Sequence, residues 1–443
     1  MSGSVEVDRA MNKPPPIGQS KERAVVRAAI VLVLLSCTLL ERFGLNPGGG
    51  GYALKPAMFS IYLLVGVAVI ARQLVLSTER LLLYLVCLGV VVASMLINLN
   101  VADVDRSSMS SFLLLAVMYL PFVFVLKQDW AGADHANWVL EVFANIALFS
   151  AMAGIAQFAA QFVVRDAWLF DFTSYLPEAI RAQSGFNTVI PVGSLYKSNG
   201  FFYREPSGFS FIMALAIVLE VGRDRRWWRI ACLGLALLLT YSGTGLLALF
   251  IGLLFPFGLK TLSRYVAAML LGGLVLWSFG DALNLSFTVS RVGEFSSERS
   301  SAYIRYIAPL RLLNETMAQQ PWSFWLGYGP GSITRTSADF LFHDPTWAKL
   351  LYEYGLVGFL SFVTFFVMAL NRPNVPVSAR VTLFFAWLIM GGHLLSPEMN
   401  YMTLVLVGLM PWVASPGLRP QASVPPRSPP TVHAAFRSAS CAP

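Results

Sequence analysis

The feature that most constrains this chain is a series of apolar runs, each about 15–22 residues long, separated by polar breaks. At 1.5 Å per helical residue, such a run matches the ~30 Å hydrocarbon core of a bilayer. Lipid offers backbone N–H and C=O groups no partners, so a run that crosses it must be helical. The runs fall at 25–41, 55–71, 80–98, 110–126, 138–162, 206–221, 227–241, 243–259, 264–280, 348–370, 379–395 and 399–415. Composition agrees with them, at 56% hydrophobic and 13% charged, where soluble domains average roughly a quarter charged. The expected class is an all-α polytopic membrane protein with about twelve transmembrane helices. Two long connections, 163–205 and 281–347, interrupt the series, and the second carries a helical pattern over 300–320.

The lysines and arginines orient these spans. With the amino terminus cytoplasmic, 19 of the 32 basic residues lie in inside segments, and the short outside loops hold only Arg42, Lys55 and Arg106. Both termini are then expected inside, and both long loops outside, which in a bacterium is the periplasm. The net charge of +8 is therefore mostly a topology signal and no argument for nucleic acid. Residues 1–24 read as a disordered cytoplasmic head, 25–415 as the membrane domain, and 416–443 as a proline-rich disordered tail. The polar start has no short apolar run with a small-residue cleavage site, so the first span is expected to be retained.

Several chemistries find no support. The four cysteines form no C-x-x-C or Cys/His metal spacing. No zinc helix motif, nucleophile elbow or paired-carboxylate loop occurs, so neither metal nor cofactor is expected. Gly48–Gly51 lacks the Lys-Ser/Thr of a phosphate loop and falls on the outside, where a flexible linker is the simpler reading.

Three segments carry chemistry-bearing residues. In Lys197-Ser-Asn-Gly-Phe-Phe-Tyr-Arg-Glu-Pro-Ser-Gly208, Arg204 and Glu205 stand at the mouth of a span that opens on Pro206. A helix amino terminus beside a guanidinium is a ready anion site, and an Arg–Glu pair anchoring a helix end explains the same residues. The second segment holds Arg299, Arg305 and Arg311, spaced by six, with Pro309 as a kink or a second helix start. Six residues turn a helix by about 240°, so these three cannot all face one ligand. The third runs from His343 and Asp344 through Glu353 to Gly358, from the long loop into the tenth span. A His or Asp there can take a proton from a hydroxyl, while Glu353 in the first helical turns is favoured by the helix dipole alone. His393 near the end of the eleventh span is expected to form a structural pair with Glu398.

Taken together, these segments resemble the O-antigen polymerase and ligase superfamily of bacterial envelope enzymes. The likeness runs from about residue 180 to 360. It rests on Gly200-Phe-Phe-Tyr-Arg-Glu-Pro-Ser207, Thr240-Tyr-Ser-Gly-Thr-Gly245, Arg305 ahead of Pro321, Leu326-Gly-Tyr-Gly-Pro-Gly331 and His343–Gly358. The resemblance implies metal-independent, inverting glycosyl transfer from an undecaprenyl-diphosphate-linked oligosaccharide at the periplasmic face of the inner membrane. It also implies membrane lipids, a chain-length regulator and a flippase as partners, and no cofactor.

Carried onto this chain, Arg305 matches the long-loop arginine that holds the diphosphate, and either Arg204 or Lys197 matches the earlier basic position. Glu205, Arg299, Arg311 and Glu353 join the expected substrate-binding set. The family spacing to the first glycine of the late stretch falls on Asp344, with His343 one residue farther, so either is the expected catalytic partner of the acceptor hydroxyl. The Arg-Glu-Pro-Ser form looks more like the polymerases than the ligase that moves finished glycan onto lipid A core. A transporter or flippase is the alternative from another class, and would place its ionisable residues at mid-bilayer.

Overall fold

The computed structural model describes residues 17–46, 54–101, 107–130, 133–164, 166–182, 188–223, 226–255, 300–317 and 320–411, with isolated residues between 255 and 300. The Gly48–Gly51 stretch, the ninth run at 264–280, Arg299, and the outer parts of the head and tail lie outside the described residues.

The chain is mostly helical. The first helices are α1 (Ile17–Thr38), α2 (Pro56–Ile70), α3 (Thr78–Val101), α4 (Met109–Tyr119) and α5 (Ala133–Ala160). After the first long connection come α6 (Pro206–Gly222), α7 (Trp227–Leu238) and α8 (Gly243–Leu254). Short helices α9 (Ser301–Tyr306), α10 (Ala308–Thr316) and α11 (Pro321–Leu326) precede α12 (Thr346–Leu370), α13 (Val377–Phe385) and α14 (Pro397–Thr403). Proline opens α2, α6, α11 and α14, where its missing N–H has no intrahelical partner to lose.

Three stretches, Thr78–Leu99, Asp134–Ala160 and Thr346–Leu370, are long and apolar enough to cross a membrane, and several other apolar helices are shorter. Much of the surface is apolar: Leu63, Leu82, Leu85, Leu96, Phe149, Leu360 and Val367 are all exposed. Large exposed apolar area is a liability in water and the normal condition in lipid. The protein is membrane-embedded. Two expected spans differ in form from a plain helix. The helices α13 and α14 continue into π turns at Ala386–Met390 and Leu404–Gly408. Helices α7 and α8 have 12 residues each, about 18 Å, less than a bilayer core.

Helix α6 is the hub. Every residue from Phe209 to Glu220 is buried, and α5, α7, α8 and α13 pack around it. The same core continues into α4, α12 and the turn after α13 through aromatic rings. Phe366 and Trp387 stack at 4.0 Å, Tyr119 meets Phe362 edge-on, and the Trp387 Nε1–H donates to the Tyr119 hydroxyl at 3.0 Å. That bond satisfies the one polar atom the indole brings into the core.

At the end of the bundle remote from the α12 start, fully buried Arg80 donates to four carbonyls. They belong to Phe122 (3.1 Å), Phe124 (3.4 Å), Gly408 (2.8 Å) and Ala369 (3.2 Å). These acceptors lie at or just beyond the ends of three helical segments, whose last carbonyls lack intrahelical donors. Close by, β1 (Leu74–Leu76) pairs antiparallel with β2 (Phe124–Leu126). A second small ribbon, β3 (Pro191–Val192) with β4 (Leu195–Tyr196), lies in the first long connection.

Candidate functional site

The motif segments are anchored before they are exposed. Asn199 is held on both faces of its amide: Gln157 of α5 donates to its Oδ1 at 2.8 Å, and its Nδ2 donates to the carbonyls of Phe170 (2.9 Å) and Thr188 (3.0 Å). Ser198 donates to the Gly154 carbonyl at 2.9 Å. The strand leading to Arg204 is thereby fixed to α5, and Arg204 and Glu205 arrive at the mouth of α6 in a set position.

The late glycines do a different job. Helix α12 is opened at Gly355, whose φ of 63° and ψ of −166° lie outside the helical region. The freed carbonyls of Tyr352 and Glu353 are taken by the N–H groups of Tyr328 and Gly329, both at 2.9 Å. Ser94 also donates to the Glu353 carbonyl, and Asn98 donates to that of Gly327, each at 3.0 Å. A Cβ on Gly327 would overlap the backbone of Glu353 and Tyr354, and one on Gly355 would overlap that of Trp325 and Leu326. The Leu326–Gly331 segment is thus a backbone clamp on the start of α12, and it sets where Asp344, Lys349 and Glu353 stand.

Those anchored segments bring charged groups together at one end of the bundle. Arg305, from α9, reaches the Thr244 hydroxyl at the α8 start (3.4 Å) and the Glu205 carboxylate (3.6 Å). Ser207 donates to the same carboxylate at 2.8 Å. Arg204 donates through Nε to the Glu41 carbonyl (2.9 Å) and through Nη2 to Glu398 (3.2 Å). Lys55 meets Glu398 at 2.9 Å, so one carboxylate serves two cations. Lys349 lies 2.7 Å from Asp344 and 3.8 Å from the fully buried Glu353. Lys197, buried, donates to the Tyr241 carbonyl at 3.4 Å.

His343 is exposed, and its backbone N–H is bound to the Ile304 carbonyl at 3.0 Å, beside Arg305. Desolvation, with the Arg305 charge added, pushes its imidazole below the usual 6.5, against the smaller pulls of Asp344 and Glu205. The shift favours the neutral imidazole, the form that can accept a proton.

Among the expected site residues, Arg305, Glu205, Arg204, His343, Asp344 and Glu353 gather in this region. Arg311 differs: it is exposed, pairs with Glu315 at 2.8 Å and lies 4.5 Å over the Phe340 ring. The reason is a helix break. Pro309 opens a second helix, α10, so Arg305 and Arg311 sit on separate helices. The expected His393–Glu398 pair is replaced by the Lys55–Glu398–Arg204 arrangement, while His393 stays within electrostatic reach of Arg305, Glu398, Lys55 and Asp344.

The sequence offers no site role for Glu41, Lys349 or Thr244, marks Lys55 only through topology, and marks Glu398 only as a structural partner of His393. One signal was available for Lys55: it is among three basic residues in short loops on the side that the charge rule depletes. A cation kept there against that bias has a local reason to be present. Among the described residues, no group of three or more His, Cys, Asp and Glu side chains is arranged to hold a metal ion.

The described residues form a membrane-embedded helical bundle with charged side chains gathered at the mouths of several of its helices. The WcaD colanic acid polymerase family matches residues 56–411, about four-fifths of the chain. The chain belongs to this family, and is an O-antigen- and exopolysaccharide-polymerase-like protein. No curated protein matches the chain.

Proposed function

We propose that the protein polymerises polysaccharide at the periplasmic face of the bacterial inner membrane, moving a growing glycan from undecaprenyl diphosphate onto a lipid-linked repeat unit. It would span the membrane about twelve times with both termini inside. One observation carries the reading. The charged cluster draws on the end of α1 and the starts of α2, α6, α8 and α12, together with Glu398 at the start of α14, and the loop charges orient every one of those ends outward.

The chemistry follows as a single displacement. The bond between the anomeric carbon and the diphosphate oxygen breaks, and the diphosphate leaves with the electron pair. The acceptor hydroxyl attacks the opposite face, inverting the carbon, and its proton passes to the neutral His343 imidazole. Arg305, with Arg204 and Lys55 farther along the cluster, stabilises charge on the leaving diphosphate where no metal supplies it. The Lys349 contact to Asp344 supports a reading in which His343 serves as the acceptor's base with Asp344 beside it. Lys197 donates to the Tyr241 carbonyl at the α7–α8 junction, while Arg204 stands beside Lys55 on Glu398, which supports Arg204 as the earlier basic position. A chain-length regulator and a flippase would act alongside it.

The test is the lipid-linked glycan profile of cells carrying Arg305→Ala. Long-chain polymer should disappear while single lipid-linked repeats accumulate. Normal chain length would sink the assignment, accumulated polymer would make the protein a ligase, and intermediates facing the cytoplasm would make it a flippase.

A further inference from the structure

Helix α13 ends in the π turn at Ala386–Met390, and the chain leaves it through an extended Gly391. Turns of this kind recur at functional sites. His393 opens the short 3-10 turn that follows, His393–Leu395. Its backbone is fastened on both sides: its N–H donates to the Gly391 carbonyl at 2.8 Å, and Asn400 Nδ2 donates to its carbonyl at 2.8 Å. The Thr346 N–H of α12 takes the same Gly391 carbonyl at 3.2 Å. A Cβ on Gly392 would stand 3.0 Å from Asp344 Oδ1, so the bend that carries His393 lies directly against the carboxylate ahead of α12.

The imidazole itself is half-buried. The two carboxylates whose charges reach it are engaged elsewhere, Glu398 by Lys55 and Arg204 and Asp344 by Lys349. Arg305 and Asp344 act on His393 and on His343 alike, which puts two imidazoles around the same pair of groups. The rest of their surroundings differ. His343 also feels Glu205, whereas His393 feels Glu398 and Lys55. His393 therefore stands on the side of the cluster where Lys55 and Arg204 share a carboxylate, the side given above to the leaving diphosphate. An imidazole offers a ring N–H in either protonation state, and a donor already in place where charge develops lowers the barrier. We propose that His393 is a catalytic residue of the leaving-group side, its ring N–H bound to a phosphate oxygen of the polyprenyl diphosphate as the bond from the anomeric carbon breaks. The electron pair goes to the diphosphate, and the His393 proton stays on its nitrogen. His343 takes the acceptor's proton, so the two histidines divide the reaction. The inference rests on the reading of the reaction given above and adds a residue to it.

The purified full-length protein in phosphatidylcholine nanodiscs should be treated with diethylpyrocarbonate, which carbethoxylates accessible imidazoles, and the adducts mapped by peptide mass spectrometry. His135, whose ring nitrogens are enclosed, is the unreactive reference. His393 should be modified in the free protein and protected about tenfold by undecaprenyl diphosphate at about ten times its dissociation constant. Undecaprenol, which carries the tail without the phosphates, should not protect it. His393→Phe should lower kcat for polymerisation about a hundredfold with little change in KM, and His393→Gln, which restores an N–H, should recover part of the loss. An unreactive His393, labelling indifferent to undecaprenyl diphosphate, equal protection by undecaprenol, or full activity of His393→Phe overturns the proposal. The protection map is read on the wild-type protein and needs no variant to fold. It is also read separately from the Arg305→Ala glycan profile: a normal profile rejects the polymerase reading, whereas single repeats with His393 unprotected reject this role alone.

Discussion

Lys349 carries two carboxylates at once, and one of them, Glu353, has no exposure to solvent. Removing one partner of a buried ion set leaves the other charge stranded, at a cost of about 3–5 kcal/mol. Lys349→Met should therefore lower the thermal stability of the detergent-solubilised protein markedly, and adding Glu353→Gln should restore part of it. If the single variant melts like wild type, the pair is not what holds this helix start. His343 makes a prediction of opposite character. Its imidazole binds a proton less readily than a free histidine, so the neutral form persists as pH falls and is lost only below the ordinary 6.5. In vitro polymerisation should accordingly hold its rate down through pH 6.5 and drop at lower pH. His343→Gln should be slow at every pH and show no such acid limb. At this scale the sequence was informative about which residue types mattered and silent about pairing. Arg305, Arg204 and His343 are visible in the chain, whereas the sharing of Glu398 between Lys55 and Arg204 joins positions 55, 204 and 398 and has no local signature.

At the scale of elements, the Leu326–Gly331 clamp on α12 is the most demanding piece of backbone. Gly355 occupies a φ/ψ region almost reserved for glycine, which costs other residues on the order of 1–3 kcal/mol before any clash is counted. Gly355→Ala and Gly327→Ala should each destabilise the protein by at least that much and impair polymer synthesis together with stability. Full retention of both would mean that the clamp is dispensable. The helices themselves were legible from apolar period and length, because burial in lipid writes itself along the chain residue by residue. The break between α9 and α10 was half legible, since Pro309 allowed either a kink or a fresh start. The π turns after α13 and α14 and the β1–β2 pairing had no such signal, because they arise where chain ends meet other elements.

For the whole molecule, orientation is the property most open to a direct check. Leu341 and Trp227 are both strongly exposed, and the loop charges assign them to opposite sides. In intact cells, a membrane-impermeant maleimide should label Leu341→Cys and spare Trp227→Cys until the membrane is permeabilised. The reverse pattern would invert the proposed topology and move the charged cluster to the cytoplasm. The family assignment covers most of the chain, so it and the topology can be judged independently.

The Arg80 knot bears on how such a molecule can move. Its four carbonyl bonds join helix ends that lie, from Ala369 back to Lys349 along α12, about 30 Å from the charged cluster. A guanidinium with no access to water cannot trade those bonds for solvent, so the helices are riveted at that end. Like the tines of a fork, they can part only at the other. Whatever widening a lengthening sugar chain requires must come at the mouth where the chemistry is proposed to occur, and it can come without loosening the base.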